Sequence, residues 1–148
     1  MKVLVCGGRG FLNKGLLYHY MDALHSRFCF TELIHGGAKG ADTLAGEWAM
    51  DWSIPVHVFP AQWSRDGKLA GPFRNQRMLD EGKPALVVSF PGGRGTMDMV
   101  KQAVFAGVFA VSLNAEALRL YDDPIDFADR ALHEYKRQRS GAYKEKQQ

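Results

Sequence analysis

The chain has few of the features that mark a disulfide-bonded, membrane-spanning or metal-binding protein. Cys6 and Cys29 are its only cysteines among 148 residues, too few for a disulfide framework. Cys6 closes an apolar run and Cys29 follows a helical pattern, so both read as core thiols in a reducing, cytoplasmic compartment. No run of 18 apolar residues occurs, which excludes a membrane-spanning helix. The opening MKVLVCGGRG has too short an apolar part for a secretory signal. His19, His25, His57 and His133 have no ligand spacing, and neither HExxH nor a Cys/His cluster is present, so nothing supports a metal. A G-x-S-x-G nucleophile turn is also missing. The glycine-rich stretches lack both G-x-G-x-x-G and G-K-[ST], which argues against dehydrogenase-type dinucleotide binding and Walker-type ATP hydrolysis. Excess charge is scarce as well. A formal net charge of +3 is too mildly basic to argue for nucleic acid, yet it suits attraction of phosphorylated small molecules.

The residues that are present describe one globular domain. An apolar fraction of 46% with 24% charged residues is ordinary for such a chain, and residues 1–148 show no linker. Residues 137–148 are polar and basic and are expected to form a frayed tail. Short apolar runs at residues 2–6, 33–35, 56–59, 85–90 and 108–113 read as strands, mostly without polar alternation. Between them lie helical spacings: Leu17, Met21, Leu24 and Phe28; then Ala41, Leu44, Ala45, Trp48, Ala49 and Trp52. Residues 73–81 continue the series, closed by Gly82 as a C-cap, followed by Val100, Ala103, Val104 and Gly107, and by Ile125, Ala128, Leu132 and Tyr135. Residues 60–72 read as an irregular, lid-like connection. Unalternated strands separated by helices give an α/β fold of three layers with a mostly parallel five-stranded sheet.

Three strands run directly into glycine. The first turn holds Gly7, Gly8, Arg9 and Gly10, and the second Gly36, Gly37, Lys39, Gly40 and Asp42. The third holds Pro91, Gly92, Gly93, Arg94, Gly95 and Thr96. A strand, a glycine turn and a helix start together aim backbone N–H groups at an anion, usually phosphate. In the doubly wound strand order 3-2-1-4-5, the first and fourth strands meet where the winding reverses, and the crevice there is the usual ligand site. The expected ligand is therefore phosphorylated and nucleotide-like. Arg9, Lys39 and Arg94 are candidate phosphate contacts. Arg74 and Arg77, three apart on one helix, can present two cations on one side, with Asn75 between them. Thr96 reads most simply as an N-cap. Asp42 and Asp98 sit in first helical turns, where the helix field alone favours them, and both are candidates to act as a base or bind a ribose hydroxyl. His35 reads as packed or hydrogen-bonded more than catalytic. Trp63 suits base stacking, covering of the crevice, or a satellite core.

These residues carry a resemblance. Cys6-Gly7-Gly8-Arg9, IHGGAKGADTLAGEWA (34–49), FPAQW (59–63), AGPFRNQRML (70–79) and FPGGRGTMDMV (90–100) resemble a small Rossmann-like family of unknown function. It is found in bacteria and phages and belongs to the SLOG superfamily. The resemblance spans about residues 3–113. It implies a Rossmann-like fold and a nucleotide-derived ligand, as in the lonely-guy phosphoribohydrolases and the DNA-processing protein A fold. The lonely-guy enzymes carry PGGxGTxxE, whose glutamate takes part in N-glycosidic cleavage. Here the residues from Pro91 to Thr96 match, but Met99 stands at the glutamate position and Asp98 lies beside it. A thioether does no acid or base work, so the phosphate cradle carries over and that catalytic residue does not. The resemblance implies a counterpart of those enzymes' helical arginine in Arg74 or Arg77, although the local sequence differs. The resemblance also admits pairing of copies through helices, although no stripe here marks a partner surface. Binding or sensing of a nucleotide or ribose-phosphate derivative is the leading reading. N-glycosidic hydrolysis and nucleic-acid binding are the alternatives. Glu134 and Glu145 offset part of the tail's positive charge, which weakens the last of these.

Overall fold

The structure, a computed structural model, describes residues 1–120 and 123–147. Five strands, β1 (Lys2–Cys6), β2 (Glu32–His35), β3 (Val56–Val58), β4 (Leu86–Ser89) and β5 (Phe109–Ser112), form one sheet in the order β3-β2-β1-β4-β5. All four pairings are parallel. The helices are α1 (Lys14–Phe28), α2 (Ala41–Asp51), α3 (Trp63–Asp66), α4 (Ala70–Asp80), α5 (Arg94–Phe105), α6 (Ala115–Leu120) and α7 (Pro124–Gln147). This is the Rossmann-like α/β arrangement expected from the strand pattern. Among the described residues, no helix is long and apolar enough to cross a membrane.

Residue alternation along the central strands divides the core into two layers. Val3 and Val5 of β1, Leu33 of β2, and Leu86 and Val88 of β4 pack with residues of α1, α2 and α7. Leu4 and Cys6, Ile34 and Val87 face the other way, against Met78 of α4 and Met99 and Ala103 of α5. Helix α1 lies beside α7, where Tyr20 meets Phe127 edge-on and Arg27 pairs with Asp129. Trp48 of α2 is fully buried, and its indole N–H donates to Asp22 Oδ1 (2.8 Å).

Several local expectations need correction. Cys29 is not a core thiol: it is the exposed C-cap residue of α1, in the left-handed region at φ 55°. Trp52 does not complete the buried stripe of α2 but is half exposed, its indole also bonded to Asp22. The connection at residues 60–72 contains α3, a 3-10 turn at Gly67–Leu69 and the start of α4. Pro72 is the third residue of α4, where its missing N–H costs no helical bond, so the helix begins before the proline.

Gly82 does not cap α4; Glu81 does. A side chain at Gly82 would meet Met78 O at 2.4 Å and Ile34 Cδ1 at 2.8 Å, so the glycine permits close packing of chain on sheet. Helix α5 begins at Arg94 with Gly93 as N-cap, so Thr96 is its third residue and not the cap. Asp98 accordingly falls beyond the first turn. The buried face of α5 is Met99 and Ala103, while Val104 and Gly107 are exposed. Helix α7 runs on through residues 137–147, with Glu134 and Arg137 pairing along it. Gln148, the end of that stretch, lies outside the described residues.

Candidate functional site

The three glycine turns meet through one residue. Gly8 N–H donates to Pro91 O at 2.9 Å, joining the turns after β1 and β4. Gly8 O accepts from Ala41 N–H at 3.2 Å, joining the turn after β1 to the start of α2. It also accepts from Phe11 N–H at 3.1 Å, which closes its own turn. Parallel pairing of β1 with β2 and β4 brings all three turns to the carboxyl edge of the sheet, where a doubly wound fold has its crevice.

A cavity of about 590 Å³ opens at this junction, within the range of small-molecule sites. Gly7, Gly8 and Arg9 line it from the turn after β1, and Asp42 lines it from α2. Helix α4 contributes Arg74 and Asn75, and the turn after β4 with α5 contributes Gly93, Arg94, Gly95, Thr96 and Asp98. The first N–H groups of α5, which have no intrahelical acceptor, therefore belong to its wall. The remaining candidates lie around this space. Gly36, Gly37 and Lys39 line an adjoining cavity of about 380 Å³, which shares Arg9, Ala38, Trp63 and Arg74 with the larger one. Gly40 is buried against Gly8 O. Pro91 and Gly92 build the junction and face a separate groove with Met97 and Val100. Arg77 donates to Pro60 O (2.9 Å) and does not line the main cavity.

Arg74 and Arg77 thus hold α4 to the loops after β2 and β3. Arg74 Nη1 donates to Gly36 O at 2.7 Å and its Nε to Asn75 Oδ1 at 3.0 Å. Burial lowers its pKa, offset by Asp42 close by. Asp42 is buried, and its Oδ2 accepts from Gly36 N–H and Ala38 N–H, both at 3.1 Å. Burial raises its pKa against the pull of those N–H groups and Arg74. One carboxylate therefore shapes the turn after β2 as well as lining the cavity.

Asp98 is held differently. Asn75 Nδ2 and Gln102 Nε2 each donate to its Oδ2 at 2.8 Å, and among the described residues its Oδ1 has no hydrogen-bond partner. Asn75 is itself buried and also donates to Gly95 O (3.2 Å). Neither aspartate caps its own helix. His35 is packed and hydrogen-bonded: its Nδ1 accepts from Gly37 N–H at 2.9 Å, and burial with nearby Arg74 lowers its pKa.

Sequence reasoning passed over Lys68, which lines the cavity from the 3-10 turn within the stretch read as irregular, and Gly71, Pro72 and Met78 of α4. Their composition carries no signal for a ligand; only the path of the chain brings them in. Cys6 also lines the cavity, but burial pushes its thiol up to about 12, so it is no nucleophile at neutral pH. We expect a maleimide at neutral pH to modify the native protein once, at exposed Cys29, and twice after unfolding; peptide mass mapping checks this. Among the described residues, no group of three or more His, Cys, Asp or Glu side chains is placed to hold a metal ion.

Comparison with known proteins adds two findings. The family model described as YAcAr, the YspA, cpYpsA-related SLOG family, matches residues 1–65. The chain is also similar to the Gene 61 protein of Mycobacterium phage D29. The two are 31% identical over 115 residues, covering 72% of this chain and 91% of the phage protein. No solved structure matches significantly.

Proposed function

The chain belongs to the YspA, cpYpsA-related SLOG family, and on that premise we propose that it binds a nucleotide or ribose-phosphate derivative in the cavity at the carboxyl edge of the sheet. The observation that carries this reading is the convergence of the turns on Gly8 beside the start of α5. Orphan N–H groups at the helix start suit phosphate oxygens. Arg94 and Arg9 line the same cavity and can fork onto those oxygens. Lys68 adds a third cation. Asp98, with one oxygen fixed by two amides and the other without a partner among the described residues, suits a ribose hydroxyl.

Calorimetric titration with ribose 5-phosphate tests the reading. Binding should weaken about tenfold in Arg94→Ala, the scale of one exposed charge-assisted contact, and should weaken further as salt is raised. Binding that ignores both the substitution and salt would contradict it.

N-glycosidic hydrolysis is the second reading, favoured by the same held carboxylate. Asp98 Oδ1 can accept a proton from water, provided the anomeric carbon lies within reach of that water. The methionine at the glutamate position of the lonely-guy motif takes no part: Met99 is 1% exposed and packs in the core. If the protein hydrolyses nucleotides, released base should vanish in Asp98→Asn while binding persists.

A further inference from the structure

We infer that Trp63 is the platform on which the ligand's nucleobase stacks, so that the cavity selects nucleoside phosphates over bare sugar phosphates. This rests on the proposed phosphate site and adds the part of the ligand that site leaves unnamed.

Trp63 does no work in the core. It is the first residue of α3, a helix with no buried residue, and 52% of its surface is exposed. It belongs to neither hydrophobic cluster. The other two tryptophans are tied into the fold, since Trp48 and Trp52 both donate their indole N–H to Asp22 Oδ1. Among the described residues, the Trp63 indole N–H has no such acceptor. A large aromatic side chain left half in water forgoes much of the stabilisation that burial would give it.

Its position is nevertheless set. Asp66 N–H and Arg65 N–H donate to Gln62 O at 2.8 and 3.1 Å, and the Arg65 side chain pairs with Asp66. Arg77 holds Pro60 O just upstream. The indole so placed stands in the wall common to the two adjoining cavities. The Arg9 guanidinium lies 5.6 Å from its ring centroid.

These facts fit one ligand chemistry. Every nucleobase has a π-face, and stacking on an exposed indole needs no particular base edge. An exposed cation–π pair is weak, so a base can replace Arg9 on the ring. The displaced guanidinium stays within the cavity that the α5 N-terminus also lines, available to phosphate. In this exchange the two halves of a nucleoside phosphate are bound by two residues that cover each other when the ligand is absent. A sugar phosphate has nothing to offer the indole.

The test is calorimetric titration of the full chain with ribose 5-phosphate and the adenosine, guanosine, cytidine and uridine 5′-monophosphates, in wild type, Trp63→Phe and Trp63→Ala. At least one nucleotide should bind wild type about tenfold more tightly than ribose 5-phosphate, the scale of one stacked base. Trp63→Ala should bring that nucleotide to the level of ribose 5-phosphate and leave ribose 5-phosphate unchanged. Trp63→Phe should keep part of the increment. Equal binding of all five ligands to wild type, or equal weakening of ribose 5-phosphate and nucleotide in Trp63→Ala, would overturn the inference while leaving the phosphate site intact. Failure of all five to bind wild type would overturn both.

Discussion

Replacing Gly40 by alanine is expected to destabilise the fold by about 2–6 kcal/mol, a large share of the roughly 5–15 kcal/mol that holds a domain folded. Two independent costs add. Gly40 has φ 79° and ψ −125°, a backbone region in which an L side chain is strained by about 1–3 kcal/mol. An added Cβ would also lie 2.3 Å from Gly8 O and 2.6 Å from Arg9 O. These are backbone atoms of the neighbouring turn and cannot swing aside as a flexible side chain would. The displaced carbonyl is the one that accepts from Ala41 N–H, so strain at Gly40 passes directly into the junction. In urea, the midpoint should fall with the slope unchanged. Gly10→Ala is the control, because nothing lies within 4 Å of a Cβ there, and it should stay within about 0.5 kcal/mol of wild type.

Gly92→Ala should weaken binding at least about tenfold with a smaller loss of stability. The φ of Gly92 is not positive, so the effect comes from contact alone. Its Cβ would meet Thr96 Oγ1 at 2.2 Å, Thr96 Cβ at 2.9 Å and Gly8 N at 2.7 Å. Relief requires the turns after β1 and β4 to part, which lengthens the Gly8 N–H to Pro91 O bond. Overpacking of this kind costs about 1–3 kcal/mol. For a ligand held by fixed N–H groups, a shift on the order of 0.5 Å is already outside productive geometry. Ribose 5-phosphate affinity should therefore fall at least about tenfold while the protein remains folded in water. A Gly95→Ala variant, with open space around its Cβ, should melt no earlier than wild type. If Gly92→Ala bound as well as wild type, the junction would not be the anion site.

The fold was legible because its signals are local or topological. Unalternated apolar runs gave five strands, and the doubly wound winding rule placed the first and fourth side by side, as the β1–β4 pairing does. What sequence could not resolve was the choice between neighbouring solutions of equal period. On α5, Met99 and Ala103 repeat with the same spacing as Val100 and Val104, and only packing against Leu4, Cys6 and Val87 selects the first pair. Cys29 carries the composition of a core residue, yet the left-handed turn that ends α1 puts it in water.

The candidate site was partly legible for a similar reason. Glycine marks a turn but says nothing of its partner, so the role of Gly8 as the common node emerges only when three turns are seen together. Arginine marks a cation but not its acceptor. Arg77 is spent on Pro60 O, whereas Arg94 stands exposed in the cavity wall. Asp98 looked like a residue favoured by the helix field; the Gln102 contact is a local i,i+4 pair on α5, but the grip of Asn75 depends on α4 lying beside α5, which no local pattern encodes.

The most direct measurement is an amide ¹H–¹⁵N NMR titration of the full chain with the four ribonucleoside 5′-monophosphates. Saturable shifts should appear with at least one of them and should concentrate at Gly7, Gly8 and Arg9, at residues 36–42 and at residues 93–98. Shifts concentrated instead along β5 and α7, where a second groove lies at the edge of the sheet, or no shifts with any of the four, would contradict nucleotide binding at the glycine junction.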